Sequence, residues 1–483
     1  MPKIKLAALG DSLTQGFQSG AIHNTAWSFP AIVARSFGQS VPGDFRVPSF
    51  GPHGLPLNLE QLMYRADAAL SKGASDLEVA LRLPILIPQF LDEVEGYFER
   101  GAGSGPAKFG GSYHNVAVWG FALAEAARLS VERCTSAIED EEGWIEDDFL
   151  GLPSGAMYRT ARKVFNPQLV AARNSDTQLT ALERLLDSDG PLDVLILWIG
   201  ANDALGTVLN LEIKDMDGVR NLPTDPVKLL QWNLTSAAVF DTEYTALAAR
   251  LEEILEQRSA RTKVFVGNVP HVTIPPITRG QGEFDGTYFD FYTRFFVPPG
   301  SLTFGLEKLT RAEARWIDTR IDAFNAVIRR EVDKRRPNWQ LVDTCALLDE
   351  LAVRRNQLEA DPGAALRMHY ERRGRLDHPL LQLNPVPSIL MYGVDQNGKR
   401  DNGGLMSLDG VHPSTLGYGL IAEYFLESMQ RAGVPGADPR QVPWPAVLQN
   451  DGLATHPPRV WWHLTRAGER FSWLWGALAR ALA

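Results

Sequence analysis

The chain has 483 residues, 45% of them hydrophobic and 22% charged, with nine His and two Cys. Such a composition belongs to a globular protein long enough to bury a large core, and it excludes collagen, disordered tails and small disulfide scaffolds. Forty-eight basic residues against fifty-eight acidic ones leave a formal charge of −10, which provides no electrostatic footprint for nucleic acid. At about 150 residues per domain, length alone suggests about three domains.

In chain order, residues 4–9 form a short apolar run that reads as a buried strand, apolar at consecutive positions as expected of a strand covered on both faces. It ends in Gly10-Asp11-Ser12-Leu13-Thr14. Residues 49–111 break the rhythm with Gly and Pro around a helix expected near 77–98. Asn115 to Gly120 is strand-like, and 121–129 has a helical pattern. The acidic run 139–148 reads as a solvated loop. Residues 194–199 are a second buried strand, ending in Gly200-Ala201-Asn202-Asp203, and 230–256 contains a helix.

A third strand is expected at 264–266. An aromatic-rich stretch follows at 284–304, and the clearest helix lies at 309–335. There Ile317, Ile321, Phe324 and Ile328 recur at helical spacing, and Lys334, Arg335 and Arg336 crowd the end before Pro337. Cations at that end complement the helix dipole, and proline stops the helix. A fourth strand falls at 341–342, and 348–400 mixes a charged helix with Pro-rich loops. Strands alternating with helices predict an α/β fold with a parallel sheet. The three irregular stretches read as insertions into one sheet.

After Pro-containing residues from 432 onward, Trp461, Leu464, Phe471, Trp475, Leu478 and Leu482 form a helical stripe. A basic, Trp-bearing amphipathic helix can lie on a membrane; packing of the stripe on the protein's own core is the preferred reading. Cys134 and Cys345 form no C-x-x-C, and no H-E-x-x-H exists, so no zinc site is expected. No apolar run reaches the roughly 18 residues a bilayer requires, and 6–9 is too short for a signal-peptide core. The expectation is a soluble, cytoplasmic protein.

Four short segments carry chemistry. A serine directly after a parallel strand sits at the carboxyl edge of the sheet, where α/β folds bind ligands. Taken alone, Asp11-Ser12 reads equally as a helix cap or as a nucleophile turn. Asn202 ends another strand, where its amide can donate to a developing oxyanion or simply serve a turn. Gly120 offers a backbone N–H at a third strand end. Asp409-Gly410-Val411-His412 places a carboxylate three residues before a histidine, a spacing that lets Asp hold Nδ1 while Nε2 takes a proton from serine.

Together these segments resemble the GDSL, or SGNH, family of serine hydrolases. Ser12 matches its nucleophile in Gly-Asp-Ser-Leu, Gly120 and Asn202 match its oxyanion residues, and Asp409 with His412 matches its Asp-x-x-His pair. Asn115, Trp27-Ser28-Phe29-Pro30 and the segment from Ser414 to Tyr418 agree with its flanks. The resemblance implies a three-layer α/β/α fold with a parallel, flavodoxin-like sheet. Residues 1–431 then form the catalytic domain, with insertions at about 49–111, 284–304 and 348–400, and 432–483 form a C-terminal extension. It also implies ester hydrolysis through an acyl-enzyme on Ser12, with no cofactor and no metal. The oxyanion would meet Ser12, Gly120 and Asn202. The substrate is a small-molecule ester, and the "Ser-Leu-Asp-Gly-Val-His-Pro" wording points toward lipid or fatty-acyl esters. An O-acetylesterase of carbohydrates, an acyltransferase of the same family and a non-catalytic binding protein on this fold remain the alternatives. Whether the aromatic stretch 284–296 and the run 81–90 line an acyl site or form their own core is left open.

Overall fold

The computed structural model describes residues 4–51, 53–70, 76–142, 153, 155–219, 222–298 and 307–466. Seven strands in chain order organise the fold: β1 (Leu6–Gly10), β2 (Val194–Trp198), β3 (Lys263–Gly267), β4 (Thr278–Phe284), β5 (Phe289–Arg294), β6 (Leu309–Thr310) and β7 (Trp339–Val342). The order β1-β2-β3-β7 makes one four-stranded sheet, parallel throughout, with Leu6 opposite Val194, Val194 opposite Lys263 and Val264 opposite Trp339. All four apolar runs expected as strands lie in this sheet.

Side chains alternate across it. Ala7, Leu9, Leu195, Leu197, Val264 and Val266 enter a core on one face, and Leu6, Ala8, Ile196, Trp198 and Phe265 enter a core on the other. Both faces being covered explains why the strands are apolar at every position. The first core is covered by helices including Gln178–Asp189, Ala237–Arg258 and Arg311–Lys334; the second by Phe29–Ser36, Thr344–Leu351 and Thr415–Arg431. The result is a three-layer α/β/α arrangement.

The run from Asn115 lies beside β1 as an irregular strand. Val116 N–H donates to the Ala8 carbonyl at 2.9 Å and Val118 N–H to that of Gly10 at 3.1 Å. The alternate N–H groups are held by side chains: Ala117 N–H goes to Asn115 Oδ1 and Trp119 N–H to Gln15 Oε1. Counting this segment second along the chain, the order across the sheet is 2-1-3-4-5, the flavodoxin-like order.

Residues 311–334 form the expected long helix, capped by a reciprocal Thr310–Glu313 box. Ile317, Ile321, Phe324 and Ile328 are all fully buried, and Phe324 stacks on Phe240 with ring centroids 4.0 Å apart. The acidic run departs from expectation. Residues 139–142 continue the helix Val131–Glu142 instead of opening a loop, while 143–148 lie outside the described residues.

The stretch 49–111 supplies the helices Leu59–Ala69 and Asp76–Glu95. The strands β4, β5 and β6 form a small antiparallel sheet, and Tyr288, Tyr292 and Phe295 of this region pack into the first core. At the far end, Trp461 and Leu464 are buried in that same core, and Trp461 Nε1–H donates to the Tyr392 carbonyl at 2.9 Å. Phe471, Trp475, Leu478 and Leu482 lie outside the described residues. Among the described residues, no helix is long and apolar enough to cross a membrane.

Because Phe324 fills the seam between two long helices, Phe324→Ala is expected to lower the unfolding free energy by about 3–5 kcal/mol. Chemical denaturation measures this, and an unchanged midpoint would contradict the packing described.

Candidate active site

β1 ends in a turn that only glycine can begin. A Cβ on Gly10 would stand 2.0 Å from the Trp198 carbonyl oxygen and 2.5 Å from Thr14 Oγ1. Asp11 then caps the short helix Ser12–Gln15 by accepting the Leu13 N–H at 3.1 Å. Asp11 is thus the cap, and Ser12 stands at the first helical position, at the carboxyl edge of the sheet. Neighbouring side chains lock this turn. Asn115 Nδ2–H donates to the Thr14 carbonyl at 2.8 Å, and Gln178 Nε2–H donates to the Gly10 and Val116 carbonyls at 2.7 and 3.0 Å.

The loop after Leu405 approaches from the far end of the chain. Asp409 Oδ1 accepts the N–H groups of Val411 and His412, both at 2.8 Å. This side-chain turn folds the three-residue spacing into a tight bend. His412 Nδ1 then lies 3.1 Å from Asp409 Oδ2, and His412 Nε2 lies 3.0 Å from Ser12 Oγ. The Phe17 ring packs on the imidazole, centroids 4.6 Å apart. Ser12, Asp409 and His412 are all buried. Burial alone would raise the Asp409 carboxyl, but the His412 ring and the two N–H groups outweigh it and hold it below its ordinary range.

Gly120 and Asn202 are brought to the same edge. Gly120 has φ +77°, and a Cβ there would meet Met157 Sδ at 2.7 Å. Asn202 is partly buried, and its Nδ2 donates to the Phe121 carbonyl at 2.8 Å. One amide proton is thus fixed beside Gly120, leaving the second for a ligand. The backbone N–H groups of Ser12 and Gly120 donate to no group among the described residues. All five residues singled out in the sequence therefore belong to one cluster.

A pocket of about 830 Å³ opens on Ser12 and His412. Its walls are chiefly hydrocarbon and include Trp198, Leu205, Val272, Leu347, Leu351 and Leu420. No described residue of 81–90 or 284–296 lines it. Leu83, Ile87 and Phe90 of the first segment and Tyr288, Tyr292 and Phe295 of the second are buried in the core, while Leu81 and Ile85 are exposed.

His271, also on the pocket wall, forms with Cys345 and Asp349 a triangle of metal-ligand spacing. Asp349 Oδ1 stands 2.9 Å from His271 Nδ1, and Arg355 Nη1 is 3.5 Å from the same nitrogen. Burial lowers the His271 pKa, but the Asp349 and Cys345 hydrogen bonds carry it up to about 11. His271, Cys345, Asp349 and Arg355 thus form one network of hydrogen bonds and ion pairs. Sequence inspection missed it, since its members are scattered over residues 271–355. It missed Gln15, Gln178 and Ser19 as well, because their roles are made by contacts remote in the chain.

The family model of GDSL-like lipases/acylhydrolases matches residues 98–425. The chain belongs to this family. It is accordingly an ester hydrolase of the SGNH fold. The matched region contains Gly120, Asn202, Asp409 and His412 but begins after Ser12; the hydrogen bond between Ser12 and His412 is what ties the serine turn to it. No curated protein and no solved structure matches the chain.

Asp11 provides a test of the electrostatics. Burial raises its carboxyl to about 7, although N–H groups of Leu13, Ala201 and Gly200 pull it down. The folded state therefore keeps a proton that the unfolded chain releases near the ordinary carboxylate value. The resulting stability is full below that value and is lost as pH rises through about 7. Asp11→Asn keeps the cap and has no such proton to lose. Its thermal midpoint should rise relative to wild type from about pH 5 to about pH 8. A constant or reversed difference would contradict the raised pKa.

Proposed function

We propose that this hydrolase cleaves lipid or fatty-acyl carboxylic esters through an acyl-enzyme on Ser12. The observation that supports the substrate class is the apolar-walled pocket that begins at Ser12 and His412. A polar sugar gains nothing from such walls, whereas an acyl chain loses its water-exposed surface there.

In this mechanism the Ser12 hydroxyl oxygen attacks the ester carbonyl while His412 Nε2 accepts its proton. Asp409 keeps the Nδ1 proton aimed and stabilises the imidazolium. The tetrahedral oxyanion is met by the N–H groups of Ser12 and Gly120 and by the free Nδ2 proton of Asn202. Collapse expels the alcohol, which takes the proton from His412 Nε2. Water then attacks the acyl-enzyme, giving its proton to His412, and the second collapse returns that proton to Ser12 with release of the acid.

Two measurements test the reading. In a series of chromogenic esters, kcat/KM should climb from acetate toward medium and long chains, by up to about fourfold per buried methylene. A maximum at acetate would overturn the fatty-acyl assignment in favour of an acetylesterase. Asn202→Ala should reduce kcat by roughly 10²–10³-fold; unchanged turnover would remove Asn202 from the oxyanion site.

A further inference from the structure

Behind the loop that carries Asp409 lies a set of buried polar groups for which the mechanism above has no use. Ser19 Oγ–H donates to Glu60 Oε1 at 2.7 Å and accepts the Leu408 N–H at 3.2 Å. Ser19 N–H donates to Ser407 Oγ at 2.8 Å. Gly20 N–H donates at 2.9 Å to Asp409 Oδ2, the oxygen that faces His412 Nδ1. Residues 407–409 therefore hang on residues 19 and 20. Ser19 adopts φ +51°, a left-handed conformation uncommon outside glycine, and its hydrogen bonds hold it there.

A hydroxyl has one proton to give. With the Ser19 proton committed to Glu60, its lone pairs face Leu408 N–H, and the loop keeps its register. Without that acceptor the hydroxyl is free to turn, and Leu408 N–H loses its partner in a buried place. Glu60 comes from the helix Leu59–Ala69, within the stretch that length alone made surplus. On the other side of the loop, Asp451 Oδ2 accepts the Leu416 N–H at 2.8 Å, where the helix Thr415–Arg431 begins just past His412.

The groups facing Glu60 are His23 from the loop after the first helix, Asp409 from the catalytic loop, Asp451 from the C-terminal segment, Tyr392, and Tyr64 from its own helix. None is a cation near neutral pH, since burial lowers His23 to about 4. Burial, with the Asp409 charge added, pushes Glu60 up to about 7.

We infer that Glu60 is a positioning residue of the active site: through the Ser19 hydroxyl it fixes the loop that presents Asp409 to His412. This rests on the reading of Ser12 as nucleophile. The test titrates wild type, Glu60→Gln, Glu60→Leu, Ser19→Ala and the Ser19→Ala/Glu60→Leu double variant with a fluorophosphonate. It then measures kcat and KM for one ester per titrated site across pH. Glu60→Leu should lose about tenfold in kcat at nearly constant KM. Glu60→Gln should recover most of that loss, because its amide oxygen accepts the same hydrogen bond. The double variant should be no slower than Ser19→Ala, as expected for residues acting through one bond. A Glu60→Leu enzyme as fast as wild type per titrated site would overturn the inference. So would an equal loss in Glu60→Gln, or a loss confined to the number of titratable sites. A wild type that takes up no fluorophosphonate would remove the nucleophile reading, and this inference with it.

Discussion

The hydrogen bond between Ser12 Oγ and His412 Nε2, 3.0 Å long, joins positions 400 residues apart. Hydrogen bonds fail within a fraction of an ångström, so the serine turn and the histidine loop must each be held rigidly against one frame. That frame is the parallel sheet. β1 delivers Ser12 to its carboxyl edge and β2 delivers Asn202, and the irregular strand beside β1 delivers Gly120. His412 belongs to no strand; it is placed by the Asp409 turn, the Phe17 ring and the anchors at residues 19 and 20. Between Ser12 and His412 the chain can wander widely, as long as both ends return to the same edge.

Burial gives the site its electrical character. Water is largely excluded from Ser12, Asp409 and His412, so the Asp409 charge is paired with the imidazole and N–H donors and not with solvent. Carboxyls nearby that lack a cationic partner respond the other way, because burial outweighs the hydrogen bonds they accept: Asp11 and Glu60 rise to about 7 and Asp203 to about 6. The same dry surroundings continue into a hydrocarbon-walled pocket. A single dry environment thus surrounds the Asp409–His412 pair and the pocket beside it.

What was legible in the sequence followed from local rules. Strands covered on both faces must be apolar at each position, so β1, β2, β3 and β7 could be recognised, as could the Ile317–Ile328 face of the long helix. Gly-Asp-Ser and Asp-x-x-His are likewise short-range geometry. Residues 115–120 pair with β1 through Val116 and Val118, while the Asn115 and Gln15 side chains take the alternate N–H groups of Ala117 and Trp119. The acidic residues 139–142 extend a helix because a run of charge does not itself break one. Aromatic residues near 288–296 were equally consistent with an acyl site or a core, since burial depends on distant partners; they belong to the core. Glu60 and Ser19 carry no signature, because their bonds reach across 41 and 389 positions.

Length suggested several domains in series, yet one sheet draws strands from residue 6 to residue 342, and the surplus chain packs around it. The claim on which everything else depends is that Ser12 is the reacting group of this single edge. Peptide mapping by mass spectrometry of protein treated with a fluorophosphonate addresses it directly. The expected result is one adduct, on Ser12, that disappears in His412→Ala under the same conditions. An adduct on another serine, or none on an enzyme that still turns over ester, would contradict it.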